Sequence, residues 1–298
     1  MMKEMKGRSR DYLIKIHSFT VDKDGFYGHL YCPDKNNFGG KALLVLGGGG
    51  MPYKFTTKEA AAFCEWGIAA LAVGYFGVEG TTKTIIDVPL ELVFEAAALL
   101  HKSGYESVVA VGISKGAELA LAAASHSREI NGVIALSPAS RVNMGIGSGI
   151  SWVNSSSWTF KGKELPYAYA KVPGWRAALK SIQARELTFR FVYEEAYRNA
   201  GVDSMIPVEK INGPVLVCGA LEDSLWPSAK ACDEIVDRLN KYRFEYPYKK
   251  LVYQYATHIL LPFDTNYSKY FRVGREYPKE CRQTTSDLKR EIMDWLWL

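Results

Sequence analysis

The sequence has no run approaching the eighteen or so apolar residues of a membrane helix, so nothing in it predicts a membrane span. Its five cysteines (Cys32, Cys64, Cys218, Cys232, Cys281) are odd in number and form no C-x-x-C pair. That excludes a disulfide framework and argues against a structural zinc site, leaving reduced, buried thiols as the expectation. Neither G-x-x-x-x-G-K-[ST] nor a helix-opening G-x-G-x-x-G occurs, so phosphate-cradling nucleotide sites are not expected. Lys and Arg are spread along the whole chain, giving a net charge of +5 with no basic run interleaved with aromatics; a nucleic-acid partner is not expected. The first twelve residues, MMKEMKGRSRDY, lack the apolar stretch of a signal peptide, which predicts the cytoplasm. Internal repeats, low-complexity tracts and linkers between independent domains are also missing.

What is present is an ordinary globular composition, 48% hydrophobic and 23% charged over 298 residues, enough for a large core without metal or disulfide. Two alternating stretches, 12–21 and 25–33, flank Asp22-Lys23-Asp24 and predict an antiparallel hairpin. Apolar runs then alternate with helical patterns. Strands are expected at 41–46, 68–74, 107–111, 131–137, 213–221 and 250–256. Helices are expected around 58–66, at 87–102 with Pro89 in the first turn, at 115–126, at 228–241 and near 286–296. Continuously apolar strands between helices predict an α/β fold, a mostly parallel central sheet with helices on both faces. Residues 141–206, rich in Gly, Ser and aromatics and helical only in their second half, interrupt the alternation. They predict a cap-like insertion within a single domain spanning 1–298.

Gly112-Ile113-Ser114-Lys115-Gly116 fits G-x-S-x-G, directly after the strand 107–111 and at the start of a helix. That is the setting of a nucleophile elbow: the serine sits in a strained backbone region, and side chains two residues either side would collide with the neighbouring strand and helix. In such a fold the base follows the acid, in the order Ser…Asp…His. Of five histidines, only His126 and His258 follow Ser114. His126 ends the elbow helix, pointing away from the catalytic edge. His258 stands just beyond a strand's carboxyl end, where open α/β sheets place ligands. The acid is expected after strand 213–221, where Glu222 and Asp223 stand together; Asp223 is preferred. For an oxyanion hole the chain offers the Lys115 amide and the glycine run Gly47–Gly50 with Met51, of which Gly49, Gly50 and Met51 are the candidate donors. Trp152, Trp158 and Phe160 of the insertion are candidate walls of an acyl pocket.

The elbow Gly112-Ile-Ser-Lys-Gly-Ala-Glu-Leu-Ala-Leu resembles that of the acyl-CoA thioesterase / bile-acid-CoA:amino-acid N-acyltransferase family, in its C-terminal hydrolase domain. The run 47–51, the stretches 160–166 and 206–210, the acid loop 219–228 and Ala256-Thr257-His258 are similar as well. The resemblance implies an α/β-hydrolase fold, the triad Ser114, Asp223 and His258, and acyl-CoA thioesters as substrates in fatty-acid and acyl-CoA metabolism, with no cofactor. The family's conjugating acyltransferases carry cysteine at the elbow and its thioesterases serine, so Ser114 implies hydrolysis. Thr257 departs from the glycine that commonly precedes the histidine. The expected partner is therefore a small-molecule acyl thioester or ester. An esterase of the dienelactone-hydrolase kind, an N-acyltransferase and an inactive ligand-binding hydrolase fold are the other expectations.

Overall fold

The apolar runs become the strands of one sheet. A computed structural model of the chain describes residues 5–9, 12–149 and 151–298. The strands are β1 (Met5–Ser9), β2 (Tyr12–Phe19), β3 (Tyr27–Cys32), β4 (Lys41–Leu46), β5 (Ala69–Gly74), β6 (Ser107–Ile113), β7 (Val133–Leu136), β8 (Val215–Ala220) and β9 (Tyr248–Tyr253). Their order in the sheet is β1-β2-β3-β5-β4-β6-β7-β8-β9. The first three strands join antiparallel, and β3 pairs antiparallel with β5. From β5 to β9 every pairing is parallel. A four-residue helical turn, Val21–Asp24, joins the first predicted hairpin.

Helices α1 (Tyr53–Glu65), α2 (Glu91–Lys102), α3 (Lys115–Ala124), α6 (Ser228–Lys241) and α7 (Pro278–Leu296) cover the two faces. Successive strand residues point to opposite sides. Leu44, Leu46, Leu71, Val73, Val108 and Ala110 join Val93, Leu100 and Ile235 in one core. Leu43, Val45, Ala70, Ala72, Val109 and Val111 join Phe63, Leu288 and Ile292 in the other. Burial on both faces is why these strands read as unbroken apolar runs rather than alternating ones. Two further helices, α4 (Gly174–Ala184) and α5 (Arg190–Asn199), lie between β7 and β8, in residues 141–206. Four short strands, Met144–Ile146, Trp152–Ser156, Trp158–Phe160 and Lys163–Glu164, precede them.

Two helix starts differ most from expectation. Pro89 is not in the first turn of a helix: α2 begins at Glu91, and Val88–Pro89 pairs in parallel with Trp158–Thr159. The amides of Val88 and Leu90 donate to the Ser157 and Thr159 carbonyls, each at 2.9 Å, and Pro89 between them has no N–H to place. The insertion is thereby tied to the segment that enters α2. The last helix begins at Pro278, eight residues before the expected 286. Its early turns are polar and lack an apolar stripe.

Candidate active site

Ser114 closes β6 and starts α3 with φ 57° and ψ −121°, a conformation costing about 1–3 kcal/mol that persists only when its surroundings enforce it. They do so on both sides. The Ser114 amide donates to the Leu136 carbonyl at 2.9 Å, and its carbonyl accepts from Ala117 and Glu118 at 2.9 and 3.0 Å. The two flanking glycines are required by space. A methyl on Gly112 would sit 2.2 Å from the Gly116 carbonyl oxygen, and one on Gly116 would sit 2.0 Å from that of Leu46.

The three side chains singled out in the sequence come together at the carboxyl ends of parallel strands. His258 Nε2 lies 2.7 Å from Ser114 Oγ, and its Nδ1 lies 2.9 Å from both Asp223 oxygens. Asp223 is fully buried in the turn between β8 and α6, where an unpartnered carboxylate would be very costly. It also accepts from the Leu225 and Trp226 amides at 2.9 and 3.3 Å and from Ser228 Oγ at 2.6 Å. Glu222, the alternative acid, points instead to solvent and pairs with Arg272 at 3.1 Å. His258 is held from two further directions: Ser137 Oγ donates to its carbonyl at 2.8 Å, and the Trp226 ring meets its imidazole edge to face at 5.5 Å. Trp226 is itself fixed by donating Nε1–H to the Ser137 carbonyl at 3.0 Å.

The glycine loop follows β4. Gly49 packs against the elbow so closely that a methyl there would lie 2.9 Å from Lys115 Cγ. Gly49, Gly50, Met51 and Lys115 all line the same cavity as Ser114 and His258, about 510 Å³ in volume. The amide of Met51 is already committed, closing a turn on the Gly48 carbonyl at 3.2 Å. Of the candidate donors Met51 therefore has its amide occupied, while Lys115, Gly49 and Gly50 stand with it along the cavity.

Of the candidate pocket aromatics, Trp152 lines the cavity, with Phe189 against it at 5.5 Å. Trp158 and Phe160 do not. Phe160 packs on Phe94 and His126 at the far end of α3. Trp158 is fully buried, donating Nε1–H to Glu118 at 2.8 Å.

That Glu118 belongs to a buried polar group that sequence reasoning missed. Lys115 Nζ donates to both Glu118 oxygens at 2.9 Å and to Ser157 Oγ at 2.7 Å. Glu118 further accepts from the Asn143 amide and side chain, each at 2.8 Å. Burial pulls the Lys115 pKa down, while its pairing with Glu118 opposes the shift. The Lys115 stem thus supports Gly49, and its ammonium is locked to Ser157 and Glu118. Helix α3 is buried along its whole length, and a lone Lys–Glu pair spaced three apart in it was the available signal.

The five thiols are free, and burial raises the pKa of each, that of Cys64 to about 12. Among the described residues no helix is long and apolar enough to cross a membrane.

A family model described as BAAT / Acyl-CoA thioester hydrolase C terminal matches residues 88–264, more than half of the chain. The chain belongs to this family. Acyl-coenzyme A amino acid N-acyltransferase 2 of Mus musculus is 24% identical over 210 residues, which cover 68% of this chain and 46% of that protein. The chain thus spans less than half the length of this family relative. Two solved structures share the fold. An esterase/lipase from an uncultured bacterium has a TM-score of 0.53 at 14% identity, covering 98% of this chain and 87% of the other. Carboxyl esterase 2 of Tuber melanosporum has 0.51 at 16%, covering 94% and 85%. Family and fold together mark an enzyme of the α/β-hydrolase kind.

Proposed function

We propose that the protein is a serine hydrolase cleaving acyl thioesters, acyl-CoA among them, through an acyl-serine intermediate. The observation that carries this reading is the continuous contact from the Asp223 carboxylate through His258 to Ser114 Oγ, in the wall of a largely apolar cavity. His258 Nε2 takes the Ser114 proton as Oγ attacks the acyl carbonyl. The Lys115 N–H and a Gly49 or Gly50 N–H hold the oxyanion, an interaction whose loss costs about 10²–10³ in rate. Asp223 fixes the imidazole tautomer and stabilises the imidazolium. The thiol leaving group, with a pKa of about 8.5, departs as thiolate with little help and collects the imidazolium proton. Water then gives a proton to His258, attacks the acyl-serine and releases the acid, and the proton returns to Ser114.

The chain acts as one domain, with residues 141–206 as a cap whose Trp152 and Phe189 take the acyl chain. Its compartment is the cytoplasm, a reading supported by the five free thiols. Acyl transfer to an amino acid is the second reading, favoured by the activity named for the mouse relative. An oxygen-ester hydrolase with the same triad is the third. One panel separates them: acyl-CoAs followed by thiol release, the same with glycine or taurine followed for the amide, and short nitrophenyl esters. Thiol release without amide, abolished by Ser114→Ala to the extent of about 10⁴–10⁶, is the expected result. Turnover of the nitrophenyl esters alone would remove the thioesterase assignment.

A further inference from the structure

Met51 lies in the wall of a second cavity as well, of about 400 Å³, between α1 and the chain that follows His258. Its lining is aromatic: Phe55 and Tyr267 meet edge to face at 5.3 Å, Tyr270 lies 6.4 Å from Tyr267, and Phe263 completes the wall. Glu59 is set into this wall. It is only 7% exposed, and among the described residues no group hydrogen-bonds to its carboxyl or pairs with it. Two carboxyls, Glu59 and Asp264, and one ammonium, Lys58, are among the lining residues, and Lys58 lies over the Phe55 ring at 5.5 Å.

A carboxyl on a mostly buried side chain, without a protein partner and open at the cavity wall, can take a donor or a cation from the cavity. Aromatic faces within about 6 Å of a positive charge attract it. An anion would meet two carboxyls. A hard metal ion would want six or more oxygen ligands, and no cluster of metal-binding side chains occurs among the described residues. We propose that this cavity binds an organic ammonium ion: an amine carrying a small apolar body, its charge against Glu59 and its substituents against Phe55, Phe263 and Tyr267. Burial holds the Glu59 pKa up at about 8, so an incoming cation ionises the acid and expels its proton at neutral pH.

The site is independent of the chemistry assigned to Ser114, and so is its test. The full chain is titrated calorimetrically at pH 7 with benzylamine and benzyltrimethylammonium, and with benzyl alcohol as the uncharged counterpart, in two buffers of different ionisation enthalpy. The amines are expected to bind at least about tenfold more tightly than the alcohol, with release of a proton. Glu59→Gln, which keeps the side chain's shape, and Phe55→Ala, on the cavity wall, should each weaken amine binding by about tenfold or more. Three results would overturn the proposal: no amine binding up to about 10 mM, equal binding of the alcohol, or amine affinity unchanged in Glu59→Gln. Should Glu59→Gln fail to fold, the comparison of amine with alcohol and the Phe55→Ala variant still decide.

Discussion

At the scale of single residues, Glu59 works against the fold that holds it. Its folded pKa of about 8 stands above the usual 4.5 for burial alone, so between those values the folded state keeps a proton that the unfolded chain has lost. Stability is then full below about pH 4.5 and falls as pH rises through 8. Replacing the group with Gln should remove this contribution to the slope, leaving the variant more stable than the wild type by about 5 kcal/mol above pH 8 and equal to it near pH 4. Urea denaturation across that range reads the difference; parallel curves for the two proteins would contradict it. The convergence of Ser114, Asp223 and His258 was legible because an elbow serine sets an expectation for an acid and a histidine at later strand ends in a fixed order. Glu59 was not singled out, since an acid in KEAAAF resembles any exposed helix residue. Its spacing of four from the buried Phe63 places both on one helix face, and that was the readable sign.

At the scale of elements, α3 is the piece on which the site is built. It starts just after Ser114, packs against β6 and β7, and carries the ion pair that reaches Ser157. Deleting one partner of a buried pair leaves an uncompensated charge, so Glu118→Ala is expected to cost about 3–5 kcal/mol in urea denaturation. The double variant Lys115→Met/Glu118→Gln, which removes both charges and keeps the volumes, should recover most of that loss. If both variants were equally destabilised, the pair would owe its effect to packing rather than charge. The strand 41–46 and the helix 228–241 were readable to the residue because an unbroken apolar run marks the one and an apolar stripe on a polar helix marks the other. The strands of three to five residues in the insertion were not. Their sequence, rich in Ser and Gly, carries little periodicity, and pairing with Val88–Pro89 is a tertiary contact that no local pattern encodes.

At the scale of the whole molecule, the insertion and the sheet edge enclose one largely apolar cavity, and its size has a kinetic consequence. Each further methylene buried there is worth about 0.8 kcal/mol, so kcat/KM for acyl-CoAs should rise about fourfold per methylene until the cavity is filled, then level off. Trp152→Ala should flatten that rise, whereas Phe160→Ala, remote from the cavity, should leave it alone. The doubly covered, mostly parallel sheet was legible from the alternation of apolar runs and helices. Which insertion aromatics turn inward was not, because Trp158 is claimed by Glu118 and Phe160 by Phe94 and His126.

The central claim is that Ser114 is a nucleophile activated by His258, and covalent labelling tests it most directly. The protein is incubated with a fluorophosphonate and the modified residue is located by mass spectrometry. One adduct on Ser114, absent in Ser114→Ala and slowed by about 10⁴ in His258→Ala, is predicted. No adduct, or an adduct elsewhere with Ser114 untouched, would contradict the account.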